Sequence, residues 1–372
     1  MKIKTHKYDF LIVGAGLIGA LAGLELLKKK FKVLVIEKNN QSLSDRRTLA
    51  VNANSREFLI SLGLWHNLIN EPINKIIIED QINQSPLEFE NLNEPMGSVI
   101  YNKELLLMAR SYLKKAKILI ENIDLDINNI DTHHPIKLKN QYYEFSKIVL
   151  SVGKMNTINP NFKKRIFSSH HKSYVGFFNH SVNHENKAYQ FFTKCGPLAV
   201  LPAPNKTKNL STFIYSSKIY IEPNELKKII KNHFKNTHGQ ISFINEIKSF
   251  KISPHVTTPN KKKNIILIGD SLRSIHPVAG QGWNLGIKDI QTLSDLLNLY
   301  DINDENFVDL YFSRRKIESY AYLSFTNLIN YLYENDSKIN KPIINFVFQS
   351  FLRLNPIRKT FIKQAMGKFN LI

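Results

Sequence analysis

The sequence predicts an α/β protein: a parallel sheet flanked by helices, interrupted by a strand-rich region and followed by C-terminal helices. Three observations carry this prediction. An apolar strand near the N-terminus runs into a glycine-rich turn, a helix and a second strand. Another strand, glycine loop and helix follow one another near residue 270. Elsewhere the apolar residues alternate, as in strands, or recur at helical spacing. With 372 residues, 43% hydrophobic and 11% aromatic, the chain can bury a full core and is expected to form two domains.

Tyr8–Val13 is an apolar strand that leads into Gly14-Ala15-Gly16-Leu17-Ile18-Gly19, with Gly23 beyond. Leu17–Leu27 has helical spacing, Lys28–Lys30 suit its C-terminus, and Phe31–Ile36 is a second strand ending at Glu37. This is the strand, G-x-G-x-x-G, helix, strand, acid order of a Rossmann-like dinucleotide-binding unit. Gly14, Gly16 and Gly19 would let a pyrophosphate approach the helix N-terminus. Glu37 falls where a ribose-binding acid is expected, roughly 20 residues on. Basic residues followed by an apolar run over Met1–Leu27 also suit a signal peptide or a membrane span. The spaced glycines and Glu25 argue against both.

Lys103–Lys115 has helical spacing, Ile136–Phe145 reads as a hairpin turning at Asn140, and Lys147–Val152 as a buried strand. Lys172–Asn179, Ala188–Thr193, Leu198–Pro202 and Asn209–Ser216 alternate or carry β-formers. Glu222–Lys235 is the one clear helix among them. Ile265–Ile268 is a short buried strand with the acid Asp270 at its carboxyl end. A loop with His276, Pro277, Gly280 and Gly282 follows, then helical spacing over Asn284–Leu297. A carboxylate, a glycine loop and a helix start together suit a large polar ligand. The acid accepts from hydroxyls, the glycines admit close backbone approach, and the helix start favours negative charge.

Residues 304–369 read as helical, broken near Pro342 and Pro356. Apolar residues such as Phe346, Val347 and Phe351 mix there with Lys341, Arg353, Arg358, Lys359 and Lys363. One reading is an amphipathic basic surface on a membrane. The preferred one is a helical cap packed on the domains with a solvated basic face. The formal charge of +20 suits an acidic membrane surface or a phosphate-bearing ligand. The abundance of Lys, Asn, Ile, Phe and Tyr points instead to the codon bias of an AT-rich genome for most of it. No motif supports nucleic-acid binding. The single cysteine, Cys195, excludes an internal disulfide and a multi-cysteine metal site, which fits a reducing compartment. The pairs His133-His134 and His170-His171 point to opposite faces of any strand, so no metal site is expected.

The two glycine motifs together resemble the class A flavin monooxygenases, and within them the ubiquinone-biosynthesis hydroxylases. The resemblance spans nearly the whole chain. It runs through Asp45-Arg46-Arg47-Thr48-Leu49-Ala50, Leu62-Gly63-Leu64-Trp65, the G-P-x-A-x-L-P strand Gly196–Pro202, and the loop His276–Gly282 with Asn284, Leu285, Gly286 and Asp289. Ala365-Met366-Gly367 resembles the family's C-terminal ending. The resemblance implies a p-hydroxybenzoate hydroxylase-like architecture. Residues 1–70, 98–153 and 264–300 would form a discontinuous FAD-binding domain, 71–97 and 154–263 a β-sheet substrate domain, and 301–372 a helical region. It implies FAD as cofactor and NAD(P)H and O2 as co-substrates. Oxygen would pass through a flavin hydroperoxide to the aromatic ring of a lipid-like polyprenylphenol. Gly14, Gly16, Gly19 and Glu37 would bind the ADP half, Arg47 the pyrophosphate region, and Asp270 the pyrophosphate or ribityl chain. Gly280, Gln281, Gly282 and Asn284 would face the isoalloxazine. His276 and Pro277 are the catalytic candidates, with proton transfer and a structural role both open for His276. A cytoplasmic protein in peripheral contact with the inner membrane face, and with a ubiquinone-biosynthesis complex, fits such a substrate.

One departure stands out. The family carries an Ala-Asp-Gly motif after the strand at 147–152, linked to FAD and NADPH binding; here Val152 stands in place of the Asp, followed by Gly153. Arg273 offers a positive charge that could replace a lost phosphate contact. Two alternatives therefore stay open: a flavoprotein reductase or dehydrogenase acting on isoprenoid lipids, and a non-catalytic subunit of the biosynthetic complex.

Overall fold

The computed structural model describes residues 5–39, 47–154, 162–167, 171–259, 264–275, 281–334 and 340–368. Its helices are α1 (Leu17–Lys28), α2 (Ala53–Ser61), α3 (Asn102–Lys115), α4 (Pro223–His238), α5 (Gln281–Leu299), α6 (Phe307–Glu334), α7 (Asn340–Arg353) and α8 (Asn355–Ala365).

Five parallel strands form the first sheet, in the order Ile265–Leu267, Gln141–Leu150, Thr5–Val13, Val33–Glu37, Leu119–Glu121. Ile136–Leu138 pairs antiparallel with Gln141–Leu150, which gives the expected hairpin at Lys139-Asn140. Their apolar runs suit a sheet covered on both faces. Val13 lies level with Leu150 on one side and Ile36 on the other, so three strands end together where the glycine turn departs. The chain leaves Thr5–Val13 for a strand on one side and reaches the strand on its other side much later. That is a topological switch point, the usual ligand position in open α/β sheets.

α1 packs so closely here that Gly19–Leu26 are all buried. A Cβ on Gly23 would lie 2.9 Å from Val35, so only glycine lets the helix settle on the strand. Glu25 is buried in the same face and accepts a 2.6 Å hydrogen bond from Ser294 of α5. Among the described residues no helix is long and apolar enough to cross a membrane.

The second sheet has seven strands in the order Ile241–Lys251, Lys172–His180, Leu210–Ser217, Gly196–Pro202, Lys187–Thr193, Lys75–Asp80, Leu87–Glu90. Two of its strands thus come from residues 71–97. The other five come from residues 172–251. α4 covers this sheet with Leu226, Ile230 and Phe234, spaced four residues apart on one helical face. Ile241–Lys251, like Lys75–Asp80 and Leu87–Glu90, was not foreseen by sequence patterning. It is an edge strand, rich in exposed polar residues, and exists through its pairing with Lys172–His180, bulged between Val175 and Phe177. A smaller sheet of Thr48–Asn52, Gly97–Tyr101 and Asn70–Ile73 joins the two.

The C-terminal helices break where the prolines predict. Pro342 sits in the first turn of α7, and Pro356 opens α8, where no N–H is needed. α7 and α8 cap the edge of the second sheet, with Phe351 and Phe361 set around Phe89 at ring-centroid distances of 5.8 and 4.4 Å.

Beside α4, three buried histidines pack against one another. The His180 ring lies 4.8 Å from His238 and 5.9 Å from His184. The Nε2 atoms of His184 and His238 are buried without a hydrogen-bond partner. Burial, reinforced by the neighbouring rings, pushes His238 down to about 3 and His184 to about 4. Unfolded histidine titrates near pH 6.5, so the unfolded chain takes up these protons first. Stability is complete above about pH 6.5 and falls as pH drops toward those folded values. His238→Phe should flatten urea-unfolding stability between pH 6.5 and 4, where the parent loses up to about 1.4 kcal/mol per pH unit for each ring. An unchanged slope would overturn this account.

Candidate functional site

A cleft of about 1220 Å³ opens between the carboxyl ends of the parallel strands and the face of the second sheet. It exceeds the about 300–1,000 Å³ of ordinary small-molecule pockets, as a site for a cofactor plus a substrate requires. Gly14, Gly16, Glu37, Arg47, Asp270 and Gly282 all line it. Six of the residues singled out from three separate segments thus meet in one cavity.

The glycine turn is built by close contacts. Gly14 has φ +99°, and a Cβ there would lie 2.4 Å from the Ser151 carbonyl oxygen. A Cβ on Gly19 would lie 2.0 Å from the Gly14 carbonyl oxygen. Gly16 is different: a Cβ there meets nothing within 4 Å, so no internal packing demands glycine. It caps α1 on the cleft side, with no side-chain cap and no acid in the first turn. No acid of α1's own first turn therefore competes for its start, which suits a phosphate site.

Glu37 does two things. Its Oε2 accepts from the Ala15 amide at 2.6 Å, which fastens the end of its strand to the glycine turn. Its Oε1 receives the Asn39 amide at 3.3 Å beside the cleft. Arg110 of α3, which sequence reasoning missed, completes this anchor. It donates through Nε to the Ala15 carbonyl at 2.8 Å and lies 3.4 Å from Glu37 Oε2. Its signal was a cation on the apolar face made by Leu105, Leu106, Ala109 and Leu113.

Asp270 is exposed to the cleft at the carboxyl end of Ile265–Leu267. Behind it lies His255, another residue without a sequence signal. Its Nε2 is 3.0 Å from the Asp270 carbonyl oxygen, and burial holds its pKa below the ordinary histidine value. Val152 borders the cleft, and its amide donates to Ser271 Oγ at 2.9 Å.

Two expectations change. Asn284 was expected to face the isoalloxazine. It is buried, its side-chain oxygen accepting from the Asn52 amide at 3.1 Å and its nitrogen donating to Ala50 at 2.9 Å. It staples α5 to Thr48–Asn52 and is absent from the cleft lining. Arg273 was considered as a phosphate contact. It is buried, donating to Asp289 at 2.8 Å and to the Leu285 carbonyl at 2.9 Å. Asp289 also accepts from the Gly269 amide at 2.9 Å and from Arg315 at 2.7 Å. His276, Pro277 and Gly280 lie outside the described residues, as does the side chain of Gln281.

The far wall is apolar: Val175, Leu201, Ile214, Ile275 and Trp283 face the cleft. Trp283 Nε1 is buried without a hydrogen-bond partner, a donor for a polar edge of a bound molecule. The residues present therefore fit a dinucleotide: an uncapped helix start, an open glycine, an acid at each of two strand ends, Arg47, and an apolar wall for a ring system.

Fold and site together define a dinucleotide-binding α/β protein whose second sheet borders the cleft at the ends of the parallel strands. More specifically, the chain belongs to the FAD binding domain family, whose model matches residues 7–117 and 183–320. It is 23% identical to the ubiquinone hydroxylase UbiM of Neisseria meningitidis, over 96% of this chain and 84% of that protein. It is 24% identical to the 3-demethoxyubiquinol 3-hydroxylase of Escherichia coli, over 78% of this chain and 79% of that protein. Its fold superposes on p-nitrophenol 4-monooxygenase PnpA from Pseudomonas putida with a TM-score of 0.75 at 14% identity, covering 99% of this chain and 100% of that one.

Two outcomes follow. Gly16→Val should leave the thermal midpoint nearly unchanged while weakening FAD binding at least ten-fold, read by flavin fluorescence titration. Equal losses of stability and affinity would instead make Gly16 a folding residue. Asp289→Ala strands two buried guanidinium groups and should cost about 3–5 kcal/mol in urea unfolding.

Proposed function

We propose that this protein is an FAD-dependent monooxygenase that hydroxylates the aromatic ring of a polyprenylated phenol in ubiquinone biosynthesis, with NAD(P)H and O2 as co-substrates. The observation that carries the proposal is the single cleft, which sets the glycine turn and Asp270 opposite the apolar wall of the second sheet. The names of relatives that align with nearly all of the chain support the choice of substrate.

In this reading residues 1–70, 98–153 and 264–300 hold the cofactor, and 71–97 and 154–263 form the substrate domain. Bound FAD would accept hydride and activate oxygen. The start of α1 and Gly14-Ala15-Gly16 hold phosphate oxygens. Glu37 orients the turn and offers Oε1 to a ribose hydroxyl, while Arg47 neutralises phosphate charge. Asp270 accepts from polyol hydroxyls of the cofactor chain. Leu201, Ile214 and Val175 seat an apolar ring and keep water from the reacting face. His276 and Pro277 are the catalytic candidates, on sequence grounds. The protein works in the cytoplasm against the inner membrane face, within reach of other ubiquinone-biosynthesis proteins.

The test is mass spectrometry of quinone lipids in a bacterial host lacking its own ring hydroxylases. The chain should add one oxygen to the accumulated polyprenylphenol, only under air, and Asp270→Ala should abolish the product. An unchanged lipid profile despite FAD-bound protein would sink the proposal. Oxygen-independent turnover would favour a reductase.

A further inference from the structure

The C-terminal helices leave an apolar surface that packing does not explain. The inner side of α6 is buried through Arg315, Ser319, Leu323, Thr326 and Asn330. Its outer side carries Ile317, Phe325, Leu328 and Tyr331, between 52% and 61% exposed. These positions recur at helical spacing and form one stripe. No charged residue occurs from Ser319 to Tyr333, so the part of the stripe made by Phe325, Leu328 and Tyr331 carries none of the charges that normally solvate an outer helix face. α7 packs on α6 and repeats the pattern. Ile344 and Phe348 are buried, while Ile343, Phe346 and Val347 are exposed, Phe346 by 74%. Soluble surfaces rarely keep contiguous apolar patches of this kind.

The charge around the patch is one-sided. Residues 340–368 hold six lysines and arginines and no acid. Arg353, Lys359 and Lys363, all on α7 and α8, are exposed. Bulky apolar side chains beside two helices whose own charges are all positive match an anionic bilayer: the apolar groups enter the acyl boundary and the cations meet lipid phosphates.

The inner side of the same helix ties the patch to the cleft. Leu323 packs with Ile275 and Leu285, and Ile275 lines the cleft. The helix that shows Phe325 and Leu328 to the outside thus supports the cleft wall on its other side.

We propose that the outer faces of α6 and α7, with the basic residues of α7 and α8, dock this protein on an anionic membrane surface. The inference deepens the proposed function by naming the face through which a lipid-borne substrate is met. Docking spares that substrate a passage through water.

The experiment is co-sedimentation of the full-length FAD-loaded protein with vesicles of phosphatidylcholine alone, or mixed equally with phosphatidylglycerol. The mixed vesicles should bind the protein at least ten-fold more strongly, less so as salt rises. Phe325→Ser with Phe346→Ser should lower binding at least ten-fold while FAD content and unfolding midpoint stay unchanged. Lys359→Gln with Lys363→Gln, which touches no apolar contact, should lower binding only to the anionic vesicles. Equal, negligible binding of the parent to both vesicles would overturn the proposal. So would a double serine variant that keeps its vesicle binding but loses a concentration-dependent dimer, since a second copy would then be the occupant. Hydroxylation is read separately: vesicle binding without hydroxylated product leaves the docking surface standing and removes the activity.

Discussion

The buried carboxylate of Asp289 holds the site together. Its two oxygens accept from the Gly269 amide, from Arg273 and from Arg315, which bring together a strand end, a short strand and the long helix α6. Asp289 itself lies on α5, two turns after Gln281. A carboxylate with no exposure would be prohibitive to bury alone, and so would either guanidinium. Together with Glu318, which pairs with Arg315 and Lys288, they form a network whose charges nearly cancel. Gly269 is thereby held, and Asp270 beside it is presented to the cleft. Asp270 faces the cleft because another acid, nineteen positions on, is buried.

A second constraint is the length of α6. At 28 residues it spans about 42 Å and so can reach both sheets. Near its start Tyr311 donates to the Leu267 carbonyl in the parallel sheet. Near its end Tyr333 donates to Asp80 and stacks on Phe192 in the second sheet at 4.6 Å. One rigid element thus sets the separation of the two sheets, and hence the width of the cleft between them.

Four strands of the parallel sheet were legible in the sequence because each carries its own signal, whereas the three-residue edge strand Leu119–Glu121 carries none. Tyr8–Val13 and Lys147–Leu150 are continuous apolar runs, and the turns between elements are marked by glycine. The strands of the second sheet could be recognised singly where they alternate. What escaped was Ile241–Lys251, whose stability lies in its partner strand, and the arrival of residues 75–90 in that sheet, a long-range pairing with no local signature. The site divides in the same way. That Gly14, Gly16, Glu37 and Asp270 would meet in one cleft was readable, because each lies at or just beyond a strand end. Arg110 and His255 were not, because each acts on a backbone carbonyl whose nearness only the fold creates. The stapling by Asn284 was hidden for the same reason: a polar residue at a helix start can bind a ligand or staple a strand, and sequence does not show its partners.

The departure at Val152 can now be argued physically. An Asp at that position would combine a shape-giving role with a negative charge. The shape survives here. Ser271 Oγ accepts from the Val152 amide and donates to the Gly153 carbonyl at 3.2 Å, fixing the corner by its two backbone groups. That corner must be fixed, because the Ser151 carbonyl presses on Gly14 and helps form the glycine turn. The charge does not survive at this position, but Asp270, the neighbour of Ser271, supplies a carboxylate to the same cleft. Substituting valine therefore removes an acceptor from one edge of the cavity without loosening the glycine turn. Any consequence falls on whatever approaches the cleft beside Val152, where the surface is now apolar.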